Sequence, residues 1–221
     1  MTNPELPPFV AVEGPIGVGK TTLAKKLSDS FQTELILEKA EENPFLEKFY
    51  NDHKSVALPT QLYFLFQRMK QIQALRQSDM FAPCRIADYL MDKDQLFARV
   101  TLDDDELYLY EQVYANLTID APVPDLVVYL QAPVEVLRER INSRGRDNEK
   151  TISDDYLIKI SDAYAHYFHY YEKSPLLIVN ASGLDIVSNE HDYQQLLQQI
   201  LSIKSGKNYF NPAPKIGRAH V

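Results

Sequence analysis

The sequence predicts an α/β fold in which a doubly wound parallel sheet of about five strands is flanked by helices. Two observations predict it: short apolar runs of strand type alternate with helical patterns, and a glycine-rich turn joins the first run to the first helix. We expect strands at residues 9–13, 35–38, 85–88, 126–131 and 176–180. We expect helices at about residues 20–31, 44–52, 59–77, 91–99, 104–117, 133–143, 153–172 and 190–203.

The glycine-rich turn has the complete phosphate-loop pattern G-x-x-x-x-G-K-[ST], which reads Gly14-Pro15-Ile16-Gly17-Val18-Gly19-Lys20-Thr21 and continues with Thr22. The backbone N–H groups of such a loop surround phosphate oxygens, and the start of the following helix favours anions. Lys20 can reach the β- and γ-phosphates and take part in catalysis, and the hydroxyl of Thr21 can hold Mg²⁺. We therefore expect residues 14–22 to bind ATP, with Mg²⁺ as the cofactor.

Composition limits the kinds of partner. The 221 residues are 45% hydrophobic and 24% charged, which fits a single phosphate-loop domain over residues 1–204 and a flexible C-terminal tail over 205–221. No apolar run approaches the length of a membrane span, about eighteen residues, and the first residues lack a signal-peptide pattern, so we expect a cytoplasmic protein without a membrane partner. A net charge of −8 disfavours nucleic-acid binding, and the single cysteine, Cys84, offers no internal disulfide.

Further segments decide which phosphate-loop class is present. They are Leu-Ile-Leu-Glu at 35–38 with Asn-Pro-Phe-Leu at 43–46 and Phe-Tyr at 49–50, Pro-Thr-Gln at 59–61 with the residues up to 68, Pro-Asp-Leu-Val-Val-Tyr-Leu at 124–130, and the run 140–149. Together they resemble the deoxynucleoside kinase family, including its deoxycytidine kinase-like members and its bacterial deoxyadenosine/deoxyguanosine kinase branch. The resemblance covers about residues 9–180 and implies transfer of the γ-phosphate of ATP to the 5′-hydroxyl of a deoxynucleoside.

The resemblance implies roles for residues that would bind this acceptor. In the family a glutamate that closes the second strand orients the 5′-hydroxyl and accepts its proton, and Glu38 occupies this place. An alcohol is hardly ionised at neutral pH, so a carboxylate within hydrogen-bond reach assists its attack on phosphorus. Tyr50 and Glu149 match residues that contact the sugar 3′-hydroxyl, and Gln61 matches one that pairs with the base. Arg68 lies about two helical turns after Gln61 and is implied in base recognition; a surface ion pair is its alternative.

An arginine-rich run stands out in this acidic chain. Its members are Arg138, Arg140, Arg144, Arg146 and, at its end, Glu149. The run resembles the family's lid, at about residues 140–150, in which the arginines at 140, 144 and 146 stabilise charge on the transferred phosphoryl group. Gly145 would allow the helix to end and the lid to close. The alternative is a solvated helix end, and Arg138 fits that description best.

The clearest departure from the family follows the third strand, at Ile86-Ala87-Asp88-Tyr89, where most members carry Glu-Arg-Ser or Asp-Arg-Ser. Asp88 can replace the acidic member, contact the substrate and support Mg²⁺ through water, although a cap of the next helix is an alternative. Arg85 is a candidate substitute for the missing arginine. Asp92 and Asp94 are both candidates for the family's second acidic position.

Two other conspicuous segments have structural explanations. The acidic residues 103–106 open a helix, where negative charge complements the positive end of the dipole, so we do not expect a metal site there. The aromatic-rich residues 164–171 include His166 and His169, and core packing or a dimer surface explains them better than a metal site. The resemblance implies a homodimer built from helices.

Two alternatives to a deoxynucleoside kinase stay open from the sequence. A nucleoside monophosphate kinase of the thymidylate type should need extra arginines for its charged acceptor, whereas residues 38–50 contain only Lys39 and Lys48 as basic residues. A regulatory module that binds a nucleotide without turnover would tolerate the loss of Glu38 and of the lid arginines, which this chain retains. The sequence leaves purine and pyrimidine bases equally open.

Overall fold

The computed structural model describes residues 6–77, 84–90, 93–117, 121–146 and 149–212. Within them lie the strands β1 (Phe9–Glu13), β2 (Glu34–Ile36), β3 (Arg85–Ala87), β4 (Leu126–Gln131), β5 (Leu176–Asn180) and β6 (Lys207–Phe210). The helices are α1 (Lys20–Phe31), α2 (Leu46–Asn51), α3 (His53–Gln77), α4 (Lys93–Thr101), α5 (Asp104–Asn116), α6 (Val134–Arg144), α7 (Asp154–His169) and α8 (Glu190–Ser202). These bounds confirm the expected alternation of strands and helices to within a few residues.

The six strands form one parallel sheet in the order β2-β3-β1-β4-β5-β6. The strand β1 is central: β2 and β3 lie on one side of it, and the later strands β4, β5 and β6 lie on the other. This reversal of direction creates a crevice at the carboxyl ends of the central strands, where open α/β sheets bind ligands. The phosphate loop follows β1 directly into this crevice.

Hydrophobic cores cover both faces of the sheet. Along β1, Val10 and Val12 belong to one core and Ala11 to the other, because successive side chains of a strand point to opposite faces. The first core also contains buried residues of α1 and α8, and the second contains those of α2 and α7. Burial on both faces explains why the strands read as continuous apolar runs.

The sixth strand corrects the expected tail. Residues 207–210 pair in parallel with β5 instead of lying outside the fold, from Leu176 opposite Lys207 to Val179 opposite Phe210. Asn208 and Phe210 are half-buried, whereas Lys207 and Tyr209 are exposed. Such a short edge strand contains no apolar run, so the sequence pattern gave no sign of it. The remaining tail residues, 213–221, lie outside the described part of the chain.

Two boundaries near the site also differ from expectation. The strand β2 ends at Ile36, so Leu37 and Glu38 leave the sheet. The helix α3 contains a break at Val56, with φ −140° and ψ 18°, and Pro59 lies in the first turn after this break. Proline is tolerated there because the N–H groups of a first turn have no partner within the helix.

The acidic and aromatic segments have the expected structural roles. Asp103 caps α5, where its carboxylate accepts a hydrogen bond from the backbone N–H of Glu106 at 2.9 Å. In α7, Tyr164 and Phe168 are buried, and Phe168 stacks on Tyr129 of β4 with 4.2 Å between ring centroids. Within the described residues we find no cluster of metal-ligating side chains and no helix long and apolar enough to cross a membrane.

Candidate active site

The phosphate loop connects β1 to α1, and two of its glycines leave no room for a side chain. Gly14 has φ +148°, and a Cβ atom there would lie 2.3 Å from the carbonyl oxygen of Leu130. Gly17 has φ +83°, and its Cβ would lie 2.8 Å from the carbonyl oxygen of Leu137. Both contacts are with backbone, which cannot move aside, so any side chain would force the loop open. The loop thus packs directly on β4 and α6.

Lys20 is the first residue of α1 and folds back over the loop. Its Nζ donates hydrogen bonds to the carbonyl oxygens of Gly14 at 2.8 Å and Pro15 at 3.2 Å. Burial, together with the positive charge of Lys93, lowers the pKa of Lys20 to about 8. The ammonium group is therefore held at the mouth of the loop, where the β- and γ-phosphates of a bound nucleotide would lie.

A cavity of about 360 Å³ opens beside the loop at the carboxyl edge of the sheet. It brings together all of the residues that we expected to bind the acceptor: Glu38, Tyr50, Gln61, Arg68, Asp88 and Glu149. Lys20, Thr21 and the lid residues Arg144 and Arg146 also line it. We call it the acceptor cavity.

Glu38 lies in this cavity between two cations. Arg68 donates to its Oε1, and Lys93 donates to its Oε2 at 2.7 Å. Burial opposes the charged form of Glu38, but the two cations outweigh burial and lower its pKa to about 2. The carboxylate therefore stays ionised at neutral pH and can accept a hydrogen bond from a hydroxyl group. Sequence reasoning missed Lys93, which comes 55 residues after Glu38.

Tyr50 and Glu149 both line the acceptor cavity and interact electrostatically. Glu149 is buried and accepts hydrogen bonds from Arg144 and, at 3.5 Å, from Arg146. Burial and the nearby Glu149 carboxylate raise the pKa of the Tyr50 phenol well above its usual value. A neutral phenol and a carboxylate side by side can together bind a sugar hydroxyl, one as donor and the other as acceptor.

Gln61 and Arg68 lie on α3 at another part of the cavity wall. Gln61 is buried, with 3% of its surface exposed, which rules out the solvent-facing alternative. Arg68 is equally buried and pairs with both Glu38 and Asp94, so it is not a surface ion pair. Of the two candidates for the family's second acidic position, the structure describes Asp94, whereas Asp92 lies outside the described residues.

Asp88 follows β3 and connects the phosphate loop to the segment that carries Glu38. Its Oδ2 accepts a hydrogen bond from the hydroxyl of Thr21 at 2.6 Å, and its Oδ1 accepts one from the backbone N–H of Glu38 at 2.7 Å. A hydroxyl and a carboxylate at this distance fit Mg²⁺, which prefers oxygen ligands and usually shares them with phosphates and water. Arg85 is no substitute for the missing arginine, because it lies at the opposite end of β3 and pairs with Glu34 at 2.9 Å.

A second cavity of about 630 Å³ lies on the other side of the phosphate loop. Residues 17–22 of the loop line it, together with Arg140, Arg144 and the segment 181–187 that follows β5. The two cavities share Gly17, Lys20, Thr21 and Arg144. We call the second one the donor cavity. Sequence reasoning missed the segment 181–187, although its place after a parallel strand could have indicated it.

The expected lid arginines separate into different environments. Arg144 lines both cavities and Arg146 only the acceptor cavity. Arg140 instead donates to the backbone carbonyl oxygens of Val18 at 3.0 Å, Ala181 at 2.7 Å and Leu184 at 3.2 Å. These contacts favour a structural role for Arg140, which ties α6 to the phosphate loop and to the segment after β5. Arg138 pairs with Asp154 away from the cavities, at 2.6 Å.

A buried glutamate, which sequence reasoning also missed, holds the site together. Glu13 ends β1, and its Oε1 accepts hydrogen bonds from the backbone N–H of Gly14 at 2.9 Å and the hydroxyl of Tyr164 at 2.8 Å. Its Oε2 accepts one from the backbone N–H of Leu90 at 2.7 Å. One carboxylate thereby fixes the start of the phosphate loop, the segment after β3 and the helix α7.

Comparisons with known proteins agree with this geometry. The family model for deoxynucleoside kinase matches residues 10–204. The chain is 38% identical over 200 residues to the deoxyguanosine kinase of Bacillus subtilis, with 87% of this chain and 96% of that protein covered. It is 28% identical over 206 residues to the deoxyadenosine kinase of Lactobacillus acidophilus, with 86% and 94% covered.

A solved structure has the same fold. The deoxyadenosine kinase from M. mycoides, determined with dCMP and dCDP bound, superposes with a TM-score of 0.77 at 26% identity, over 88% of this chain and 99% of that one. The similarity to nucleoside kinases extends over nearly the whole chain. It fits the two adjoining cavities better than a thymidylate-type kinase or a regulatory module does. The chain belongs to the deoxynucleoside kinase family.

Proposed function

We propose that the protein transfers the γ-phosphate of ATP to the 5′-hydroxyl of a deoxynucleoside. One observation carries the proposal: a carboxylate, a phenol, a buried amide and two lid arginines line a single cavity that opens onto the phosphate loop. ATP would occupy the donor cavity, with its phosphates on the loop, and the deoxynucleoside would occupy the acceptor cavity. Lys20, Thr21 and Arg144 line both cavities, which supports transfer of the phosphoryl group between them.

The residues of the acceptor cavity suggest how the reaction proceeds. Glu38 accepts a hydrogen bond from the 5′-hydroxyl and directs its oxygen at the γ-phosphorus. As the new O–P bond forms, the bond from the γ-phosphorus to the bridging oxygen breaks, ADP leaves, and the hydroxyl proton passes to Glu38. Lys20 and Arg144 stabilise the negative charge on the transferred group. Thr21 and Asp88 would hold Mg²⁺, which supplies further charge neutralisation on the phosphates.

We propose a purine deoxynucleoside, and deoxyguanosine first, as the acceptor. Guanine presents hydrogen-bond donors and acceptors along its edges, and the buried amide of Gln61, which lines the cavity, can both donate and accept there. Arg68 already binds Glu38 and Asp94, so it positions these carboxylates instead of contacting the base. The relative that is 38% identical is a deoxyguanosine kinase, which supports the same choice.

A homodimer is also part of the proposal. It is supported by the family resemblance and by large apolar side chains that are exposed on α3 and α5. Phe66 is 46% exposed on α3, and Tyr108 and Leu109 are 68% and 50% exposed on α5. Tyr108 and Leu109 adjoin on α5, and adjoining exposed apolar side chains mark an interaction surface more often than scattered single residues do.

A substrate panel tests the proposed reaction. Purified protein, Mg²⁺ and ATP are incubated with each of the four common deoxynucleosides and their 5′-monophosphates, and products are separated by chromatography against 5′-phosphate standards. We expect 5′-monophosphates from deoxynucleosides, with the highest kcat/KM for deoxyguanosine. Turnover of monophosphates alone would favour the thymidylate type, and ATP binding without any turnover would favour a regulatory module.

A further inference from the structure

Lys93 is a buried cation in direct contact with Glu38. It is the first residue of α4, it is 8% exposed, and it lines the acceptor cavity. Its Nζ donates to Glu38 Oε2 at 2.7 Å and lies 5.3 Å from the centre of the Phe97 ring. A lysine is seldom buried unless its ammonium group is paired with another charged or polar group. Here the partner is the carboxylate that would receive the hydroxyl proton.

The two cations on Glu38 differ in how firmly they are held. Arg68 pairs with Asp94 as well as with Glu38, so two buried carboxylates fix its planar guanidinium. Lys93 contacts Glu38 through a compact ammonium group on a flexible stem with three rotatable donors. Of the two, Lys93 is therefore the one that can exchange partners without leaving a second carboxylate unpaired.

Transfer of the phosphoryl group changes the charges around Lys93. Before transfer, Glu38 is ionised and Lys93 neutralises it. When the O–P bond forms and Glu38 receives the hydroxyl proton, the carboxyl group becomes neutral while a phosphate monoester gains negative charge beside it. Tyr89, the residue after Asp88, does not line the acceptor cavity and donates its hydroxyl to Gln71 at 2.7 Å, so it brings no positive charge to the cavity.

We propose that Lys93 is a catalytic residue that leaves Glu38 Oε2 to the 5′-hydroxyl and binds the phosphoryl group as it arrives on the deoxynucleoside. The inference rests on the proposed function. It assigns three successive partners to one ammonium group: the Glu38 carboxylate, the phosphoryl group during transfer, and the 5′-phosphate of the product. Lys93 thereby supplies the charge that the arginine-free segment after Asp88 lacks.

Binding of the product separates this role from a merely structural one. We would measure the affinities of deoxyguanosine and of its 5′-monophosphate by calorimetry for the wild type, Lys93→Met and Lys93→Arg. We expect Lys93→Met to lose about tenfold or more in monophosphate affinity, as the loss of a charged hydrogen bond predicts. Its deoxynucleoside affinity should stay within about twofold, and Lys93→Arg should restore most of the monophosphate affinity. Lys48→Met, a change of an exposed lysine outside the cavity, is the matched control.

Kinetics and a second variant complete the test. Lys93→Met should lower kcat about tenfold or more, while the KM for the deoxynucleoside should change less than about threefold. If Lys93→Met does not fold, Lys93→Gln is used in its place. Undiminished monophosphate affinity in Lys93→Met, or an equal loss of affinity for the nucleoside and the monophosphate in that variant, overturns the inference. Absence of turnover by the wild type would refute the proposed function instead, and the binding comparison would still decide whether Lys93 recognises the 5′-phosphate.

Discussion

Buried charges of the acceptor cavity hold one another in place. Arg68 is shared between Glu38 and Asp94, and Lys93 neutralises the other oxygen of Glu38. Each charge would be costly to bury alone, but together they are compensated before any substrate binds. Lys20, Arg144 and Arg146 line the same cavity and bring further positive charge to the phosphate loop of a protein whose net charge is −8.

The pKa of Lys20 predicts how ATP affinity depends on pH. Burial lowers this pKa to about 8, so the free protein loses the charge above pH 8, whereas bound phosphates favour the protonated form. The complex then holds more protons than the free protein, and the Kd for ATP should rise by up to about tenfold per pH unit above pH 8.

Calorimetric titration with ATP from about pH 7 to pH 10 measures this dependence. Lys20→Arg is the control, because arginine stays protonated over the whole range and should give a nearly constant Kd. A rise of the same size in both proteins would show that another group is responsible.

At the scale of helices and strands, the site depends on contacts between elements that are distant in sequence. Glu13 connects β1, the segment after β3 and α7, and Arg140 connects α6 with two loops. These contacts fix the elements relative to one another. They explain why the functional side chains keep their positions although they come from many parts of the chain.

Glu13→Ala should destabilise the protein strongly. The change leaves the N–H groups of Gly14 and Leu90 and the hydroxyl of Tyr164 without an acceptor in a buried place. We expect a loss of about 3 kcal/mol or more in the free energy of unfolding, measured by urea denaturation. Tyr164→Phe, which removes one of the donors, should cost about 1 kcal/mol, and Glu172→Ala, at an exposed position, should cost almost nothing. A loss below about 1 kcal/mol for Glu13→Ala would contradict the proposed role.

Two neighbouring arginines of α6 should respond differently to substitution. Arg140→Met removes donors to three backbone carbonyl groups, so it should lower stability by about 1–3 kcal/mol. Arg144→Met removes a partly exposed side chain from the junction of the cavities, so it should lower kcat by about a hundredfold. Its loss of stability should be smaller than that of Arg140→Met, because Arg146 can still pair with the buried Glu149. Thermal unfolding and steady-state kinetics on both variants check this, and the reverse pattern would show that the roles are exchanged.

Sequence could predict the elements well and the contacts between them only in part. The phosphate loop, Glu38, Tyr50, Gln61 and Arg68 follow recognisable spacings, and all of them lie at one edge of the sheet. Lys93 could not be found in this way, because its contact with Glu38 depends on how the helix after β3 packs against the segment after β2. The polar strand β6 also escaped detection, since its pairing with β5 involves backbone groups rather than a side-chain pattern.

At the scale of the whole molecule, one parallel sheet places the two cavities we named beside one loop. The central strand β1 leads into the phosphate loop, β2 and β3 lead into the acceptor residues, and β5 leads into the wall of the donor cavity. The family match over residues 10–204 covers every one of these segments. The central claim is that this arrangement transfers phosphate to a hydroxyl group directed by Glu38.

Turnover by Glu38→Gln tests that claim most directly. The substitution keeps the size and hydrogen-bonding ability of the side chain but removes the negative charge and the ability to take up the proton. We predict that ATP affinity, measured by calorimetry, stays within about twofold of the wild type while kcat with deoxyguanosine falls by a factor on the order of a hundred or more. An unchanged kcat would remove Glu38 from the mechanism and contradict the account.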